Sequence, residues 1–233
     1  MALLDSLDPA TRQALKASLL AKFPPAALET LLSDAIRLDI PAGGMPYREG
    51  DFPRTGLVVK GLVRVFMTSQ AGRQVTVRYA RPGELLGVPA LVGGPVPVNV
   101  QAVTEISLLM LNTRTIETIA RADGEIAWAL AEETSQRLYA VLEELAGNTF
   151  GSVRERTARH LLNLAAERQL TSGKILIASV TQQEIADAVG SVREVVARAL
   201  RQLSEEGLLK NTPDGIVILE PAGLLEVSLG TNL

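Results

Sequence analysis

Cysteine is absent from this 233-residue chain, and histidine occurs once. The first absence excludes disulfides, iron–sulfur clusters, thiolate zinc sites and cysteine nucleophiles. The second excludes metal centres and catalytic schemes that need several imidazoles. Aromatic residues make up only 3% of the chain, so its core has to be built from Leu, Val, Ile and Ala. No apolar run reaches the roughly 18 residues that span a bilayer. Asp5, Asp8, Arg12 and Lys16 break up the first twenty residues, which therefore do not read as a secretory signal. A soluble, cytoplasmic protein is the expectation.

An excess of either charge is also lacking. The formal net charge is −3. Residues 1–150 hold 14 basic against 16 acidic side chains, and residues 151–233 hold 9 against 10. Neither part is a basic glove for nucleic acid, so any DNA binding has to come from a local cluster. Apolar residues at 47% and charged residues at 21% are those of an ordinary folded protein.

The texture of the chain changes twice. From about 10 to 37, Leu15, Leu19, Leu28, Leu31, Leu32 and Ile36 lie at helical spacing, interrupted by Phe23-Pro24-Pro25. From 38 to 112 the pattern becomes short β-rich runs, such as Leu62–Phe66 and Gln74–Tyr79, with Gly-containing turns every 8–12 residues. That rhythm predicts a β-sandwich or barrel. From about 115 to 147 a helical period returns, with Ile126, Leu130, Leu138, Val141, Leu142 and Leu145 largely on one stripe, a candidate dimer seam. Gly147 and Gly151 read as a hinge. A helix is expected over 154–169, then a short strand at 175–177, two short helices, and a hairpin of 208–210 with 216–219 turned by Thr212-Pro213-Asp214-Gly215.

The strongest signal is Thr181–Leu203. Thr181-Gln182-Gln183-Glu184 is a capping box opening one short helix, and Ser191-Val192-Arg193-Glu194 reads as a second. Gly190 lies between them, where a tight turn needs a residue tolerant of positive φ. Two short helices joined in this way are a helix-turn-helix, and the hairpin behind them is a wing. Ser191–Gln202 holds Arg193, Arg198 and Arg201 against the single acid Glu194. Arg193 and Arg198 suit bidentate contact with guanine, and Glu194 suits cytosine N4. Thr181, Gln182, Ser191 and Arg201 are candidate phosphate positioners, with Lys210 adding a weak contact from the wing.

These residues bring out a resemblance over essentially the whole chain. Gly61-Leu62-Val63-Arg64-Val65, Gly72-Arg73 and Pro82-Gly83-Glu84-Leu85-Leu86-Gly87 are similar to the β-roll turns of the Crp/Fnr family of bacterial transcription regulators. Gly190–Arg198 resembles the recognition helix of its cyclic-AMP receptor branch, which uses Arg, Glu and Arg at the places of Arg193, Glu194 and Arg198. The resemblance implies an α+β chain: an N-terminal β-roll sensor over 1–114, a dimerisation helix and hinge over 115–150, and a C-terminal winged helix-turn-helix over 151–233. It implies a homodimeric transcription regulator without enzymatic activity. The expected partners are palindromic double-stranded DNA with TGTGA-like half-sites and RNA polymerase, with no membrane.

The sensor part departs from that pattern. Cyclic-nucleotide binders of the family place an acid after the Pro-Gly turn for the ribose and an Arg-Ser/Thr pair for the phosphate. These positions fall here on Val88 and on Val96-Pro97, and the two polar residues that meet the base fall on Val141 and Leu142. An anion buried without a partner is heavily penalised. These five apolar residues are therefore the candidate lining of a different effector pocket. The sequence specifies no cofactor. Haem would have only His160, expected to be a partly exposed helix residue, or a Met or Tyr, and no spacing supports it. The alternatives are a haem- or apolar-ligand-sensing regulator, and a free-standing effector-binding module acting on a protein partner. The second of these would not need residues 181–219. A cupin enzyme would need several histidines.

Overall fold

The computed structural model describes residues 7–52, 54–70, 74–170, 173–213 and 215–230, and for 143–150, 166–170 and 173–175 it describes the backbone. The chain divides into two compact units, one from residues up to 67 and from 77 to 140, the other from the remainder.

The first unit opens with α1 (Pro9–Ala17), capped by Asp8, whose carboxylate accepts from the amides of Ala10 and Thr11. A single 3-10 turn, Leu19–Lys22, leads to α2 (Pro25–Ser33), which opens on the second proline of the Phe23-Pro24-Pro25 interruption. Ile36, read with the helical pattern, instead begins β1 (Ile36–Ile40). The strands β2 (Thr55–Lys60), β3 (Val63–Thr68), β4 (Gln74–Ala80) and β5 (Leu85–Leu86) follow, then the one-turn helix α3 (Ala90–Gly93), then β6 (Asn99–Ala102) and β7 (Ile106–Leu111). They form two sheets, ordered β1-β7-β2-β5 and β4-β3-β6. Between the strands lies a buried cluster that includes Tyr47, Val58, Val65, Leu86, Val100 and Leu108. A second cluster packs α1, α2 and later helices on the outside, around Leu20, Leu31, Leu57, Val88 and Ile116. Gly87 sits at φ +80° with a would-be Cβ 2.0 Å from the Arg54 carbonyl oxygen, so only glycine fits this turn.

The helix expected over 115–147 is two helices, α4 (Thr113–Ala122) and α5 (Gly124–Phe150). The break falls at Asp123, whose carboxylate accepts from the amides of Glu125 and Ile126 and restarts the helix. Helix α5 runs through Gly147, and the chain breaks after it at Ser152. There Ser152 and Glu155 form a capping box that opens α6 (Val153–Leu164). Helix was expected as far as Gln169, but α6 ends at Leu164 and β8 (Ala166–Leu170) follows, paired antiparallel with β9 (Gly173–Ala178). Sheet pairing has overridden the helical pattern of that segment.

The second unit continues with α7 (Gln182–Ala188), α8 (Arg193–Glu205), the hairpin β10 (Leu209–Thr212) and β11 (Gly215–Ile218), and α9 (Pro221–Ser228). Its four-stranded sheet is ordered β10-β11-β9-β8. The mixed α+β architecture is therefore that of the sequence expectation, with an N-terminal β-sheet domain and a C-terminal helix-turn-helix.

Candidate nucleic-acid interface and sensor site

Helix α7 starts as the sequence predicts. The Thr181 Oγ1 accepts from the Glu184 amide at 3.2 Å, and Glu184 Oε2 accepts from the Thr181 amide at 2.8 Å. The Thr181 hydroxyl also donates to that carboxylate at 2.7 Å, so its proton is already committed within the cap. Gly190, at φ +63°, turns the chain, and the Ser191 amide donates to the Ala186 carbonyl at 2.9 Å. Closing that turn moves the helix start on by one residue. The second capping box does not form: Val192 is the N-cap of α8 and makes no side-chain cap bond.

Helix α8 buries Val196, Ala199, Leu200 and Leu203 against the rest of the second unit, where it packs on α6 and α7. Glu194, Arg198 and Arg201, spaced four and three apart, share the opposite, exposed face, with Arg193 exposed at the first turn. None of these four side chains has a hydrogen-bond or ion-pair partner among the described residues. Gln182 and Ser191 are half-buried at the starts of the two helices. The wing pairs Leu209 with Ile218 and Thr212 with Gly215, and Lys210 is exposed on it. Asp214, at its turn, lies outside the described residues. His160, expected to be partly exposed, is buried on α6. It follows Ala158 and precedes Leu161 on the inward side, which the charged run around it obscured.

In the first unit, Val88 is only 2% exposed and is packed into the outer cluster. It lines an open groove of about 750 Å³ with Leu91, Ile116, Leu130, Thr134 and Leu138. Val96 and Pro97 do not line that groove; the first is half-buried and the second exposed. Val141 and Leu142 are exposed on α5. Groove and apolar positions thus meet only at Val88.

Two cations meet at the Leu85 carbonyl. Arg78 donates to Glu84 Oε2 at 3.0 Å and to the Leu85 carbonyl at 2.9 Å. Arg137, on α5, donates to the same carbonyl at 2.7 Å and is held by Glu133 at 2.6 Å. Burial, then the neighbouring Arg137 cation, pulls the Arg78 guanidinium below its ordinary range, while Glu84 works in the opposite direction. Arg64 lies 4.6 Å from the centre of the Phe66 ring. Arg73 lies outside the described residues. The Glu133–Arg137 pair was not singled out from sequence, although its i,i+4 spacing was a usable signal.

Helix α5 has two working faces. Ile126, Leu130, Glu133 and Arg137 follow one four-three row; the first two are buried in the outer cluster and Arg137 reaches the Leu85 carbonyl. The stripe read from sequence is therefore split. Ile126 and Leu130 belong to the core of their own unit, whereas Leu138 is 56%, Leu142 49% and Val141 39% exposed. Ala127, Ala131 and Thr134 extend the exposed row upstream of Leu138 and Val141 with the same four-three spacing. The side chain of Leu145 lies outside the description, though its position continues that row. Among the described residues no helix is long and apolar enough to cross a membrane.

Comparison with known proteins agrees with this geometry. Residues 155–227 match the Crp-like helix-turn-helix domain, and residues 37–123 match the cyclic nucleotide-binding domain. The chain is similar to the transcriptional regulator LdrP of Thermus thermophilus, 31% identical over 180 residues, covering 76% of this chain and 89% of that protein. It is also similar to the cyclic AMP receptor protein of the same species, 31% identical over 208 residues, covering 88% and 94%. A solved Crp/Fnr-family transcriptional regulator, again of Thermus thermophilus, superposes with a TM-score of 0.69 at 28% identity, covering 84% of this chain and all of that one. With both domains matched and relatives 31% identical over most of their length, the chain belongs to the Crp/Fnr family of transcription regulators.

Proposed function

We propose that the chain acts as a cytoplasmic homodimer that binds palindromic DNA sequence-specifically through α8, and that its sensor does not take a cyclic nucleotide in the family's usual pose. The observation that carries the DNA reading is the group of four unengaged charged side chains on α8. Arg193 and Arg198 each take a guanine edge and Glu194 a cytosine amino group, which gives TGTGA-like half-sites. Ser191, Gln182, Arg201 and Lys210 position the backbone. Thr181 joins them only by giving up its bond to Glu184. Residues 1–114 serve as sensor, 115–150 as dimerisation helix and hinge, and 151–233 as the DNA-binding part, with RNA polymerase as the protein partner.

The exposed row Ala127, Ala131, Thr134, Leu138 and Val141, continued by Leu145, supports pairing of two α5 helices. Small residues at one end allow close approach and larger ones fill the seam at the other. Against a cyclic nucleotide stand three features: no acid at Val88, no side-chain phosphate donor at Val96-Pro97, and Arg78 already committed to Glu84 and the Leu85 carbonyl.

The test is fluorescence anisotropy with random duplex DNA over a salt series. Affinity that falls steeply as salt rises is the expected result for a protein that contacts phosphates. Absence of binding at any salt concentration contradicts the proposal.

A further inference from the structure

We propose that Val192 is a specificity-determining residue of the DNA interface and reads the 5-methyl group of a thymine next to the guanine taken by Arg193. The inference rests on the assignment of α8 as the reading helix.

Val192 is 58% exposed, whereas Ile185, Val189, Val196 and Leu200 of the same two-helix motif are each 4% exposed or less. It is the N-cap of α8, the position where Ser, Thr, Asp and Asn are favoured because their oxygens cap free amides, and an isopropyl group can do no such work. A serine stands directly before it, yet the turn uses the Ser191 amide and leaves valine at the cap. The second unit neither covers Val192 nor gains a cap from it. Its neighbours in sequence, Arg193 and Glu194, are exposed, unengaged and suited to polar base edges. In the major groove the one apolar feature that distinguishes a base pair is the thymine methyl. An apolar branched side chain among polar readers matches that feature and neither phosphate nor guanine.

The experiment uses the full chain and a duplex carrying the preferred palindrome. Each thymine of the half-site is replaced in turn by uracil, which removes only the methyl group. Wild-type protein is predicted to lose about fourfold in affinity per half-site at one of these positions, the value of one buried methyl group. Val192→Ser is predicted to bind thymine and uracil duplexes equally there, to keep its dependence on the guanine read by Arg198, and to melt no lower than wild type. Uracil tolerated at every position by wild-type protein that still discriminates guanine overturns the assignment while leaving the α8 reading intact. A uracil penalty that persists in Val192→Ser overturns it too, since another group then reads the methyl. Loss of all sequence preference in the wild type overturns the α8 reading and this inference with it.

Discussion

Arg198 and Arg201 lie less than one helical turn apart on α8, both exposed and both unengaged among the described residues, yet the proposed function gives them different roles. In the proposed reading Arg198 meets a base edge and Arg201 meets the backbone. Arg198→Ala is therefore predicted to cost about 1–3 kcal/mol per half-site and to relax the preference at one base pair. Arg201→Ala is predicted to weaken all sequences about equally and to lower the salt slope. Anisotropy titrations on matched and single-mismatch duplexes separate the two; equal loss of discrimination in both variants contradicts the division. These charged positions were legible in the sequence because a recognition helix must show polar groups where its neighbours bury apolar ones. The cap was not. Serine at 191 looked like the N-cap, but the backbone bond of its amide to Ala186 decided the helix start, and that bond depends on the geometry of the turn.

Elements start where caps allow. At α1, Asp8 accepts from the Thr11 hydroxyl at 2.6 Å and from two amides, and Arg37 donates to it at 2.8 Å. The Thr11 hydrogen bonds hold the Asp8 carboxyl below its usual range, with Arg37 adding to the effect against a small opposing burial. A carboxylate with a depressed pKa in the folded state contributes stability above its unfolded pKa and loses it as pH falls through the folded one. Asp8→Ala is thus predicted to cost about 1 kcal/mol at neutral pH and to cost less at an acid pH at which the wild-type carboxyl is protonated. Thermal melts at the two pH values check this; an equal loss at both contradicts it. The capping boxes at 181 and 152 formed alike, but only the first was anticipated, since the second hid behind the two glycines read as a hinge. The β8 strand was missed for a different reason. Its residues carry a helical pattern, and only pairing with β9 makes them extended.

At the scale of the whole molecule, the long helix α5 is the element on which the proposed dimer rests. Its single sequence stripe resolves into a row packed on the roll and a row left open, a distinction that apolar periodicity alone cannot make because Ile126 and Leu138 look alike until the roll is placed. Leu138→Lys puts two like charges into the proposed seam, and sedimentation is predicted to show monomer; an unchanged dimer refutes the seam. In the sensor, Arg78 and Arg137, both committed to the Leu85 carbonyl, predict no micromolar heat of binding for cyclic AMP in calorimetry. A saturable micromolar isotherm contradicts that reading of the roll. Fold class and helix-turn-helix were thus plain in the sequence, whereas the face that α5 leaves open needed the packed structure.

The central claim is that two copies of α8 read DNA together. A two-fold dimer presents its reading helices about 34 Å apart, so half-site centres fall about one turn apart. Selection of tight-binding duplexes from a random pool tests this most directly. The predicted outcome is an inverted repeat of TGTGA-like half-sites at that spacing, containing a G·C pair whose preference disappears in Arg198→Ala. Recovery of no palindrome, or of one whose G·C preference survives in Arg198→Ala, would contradict it.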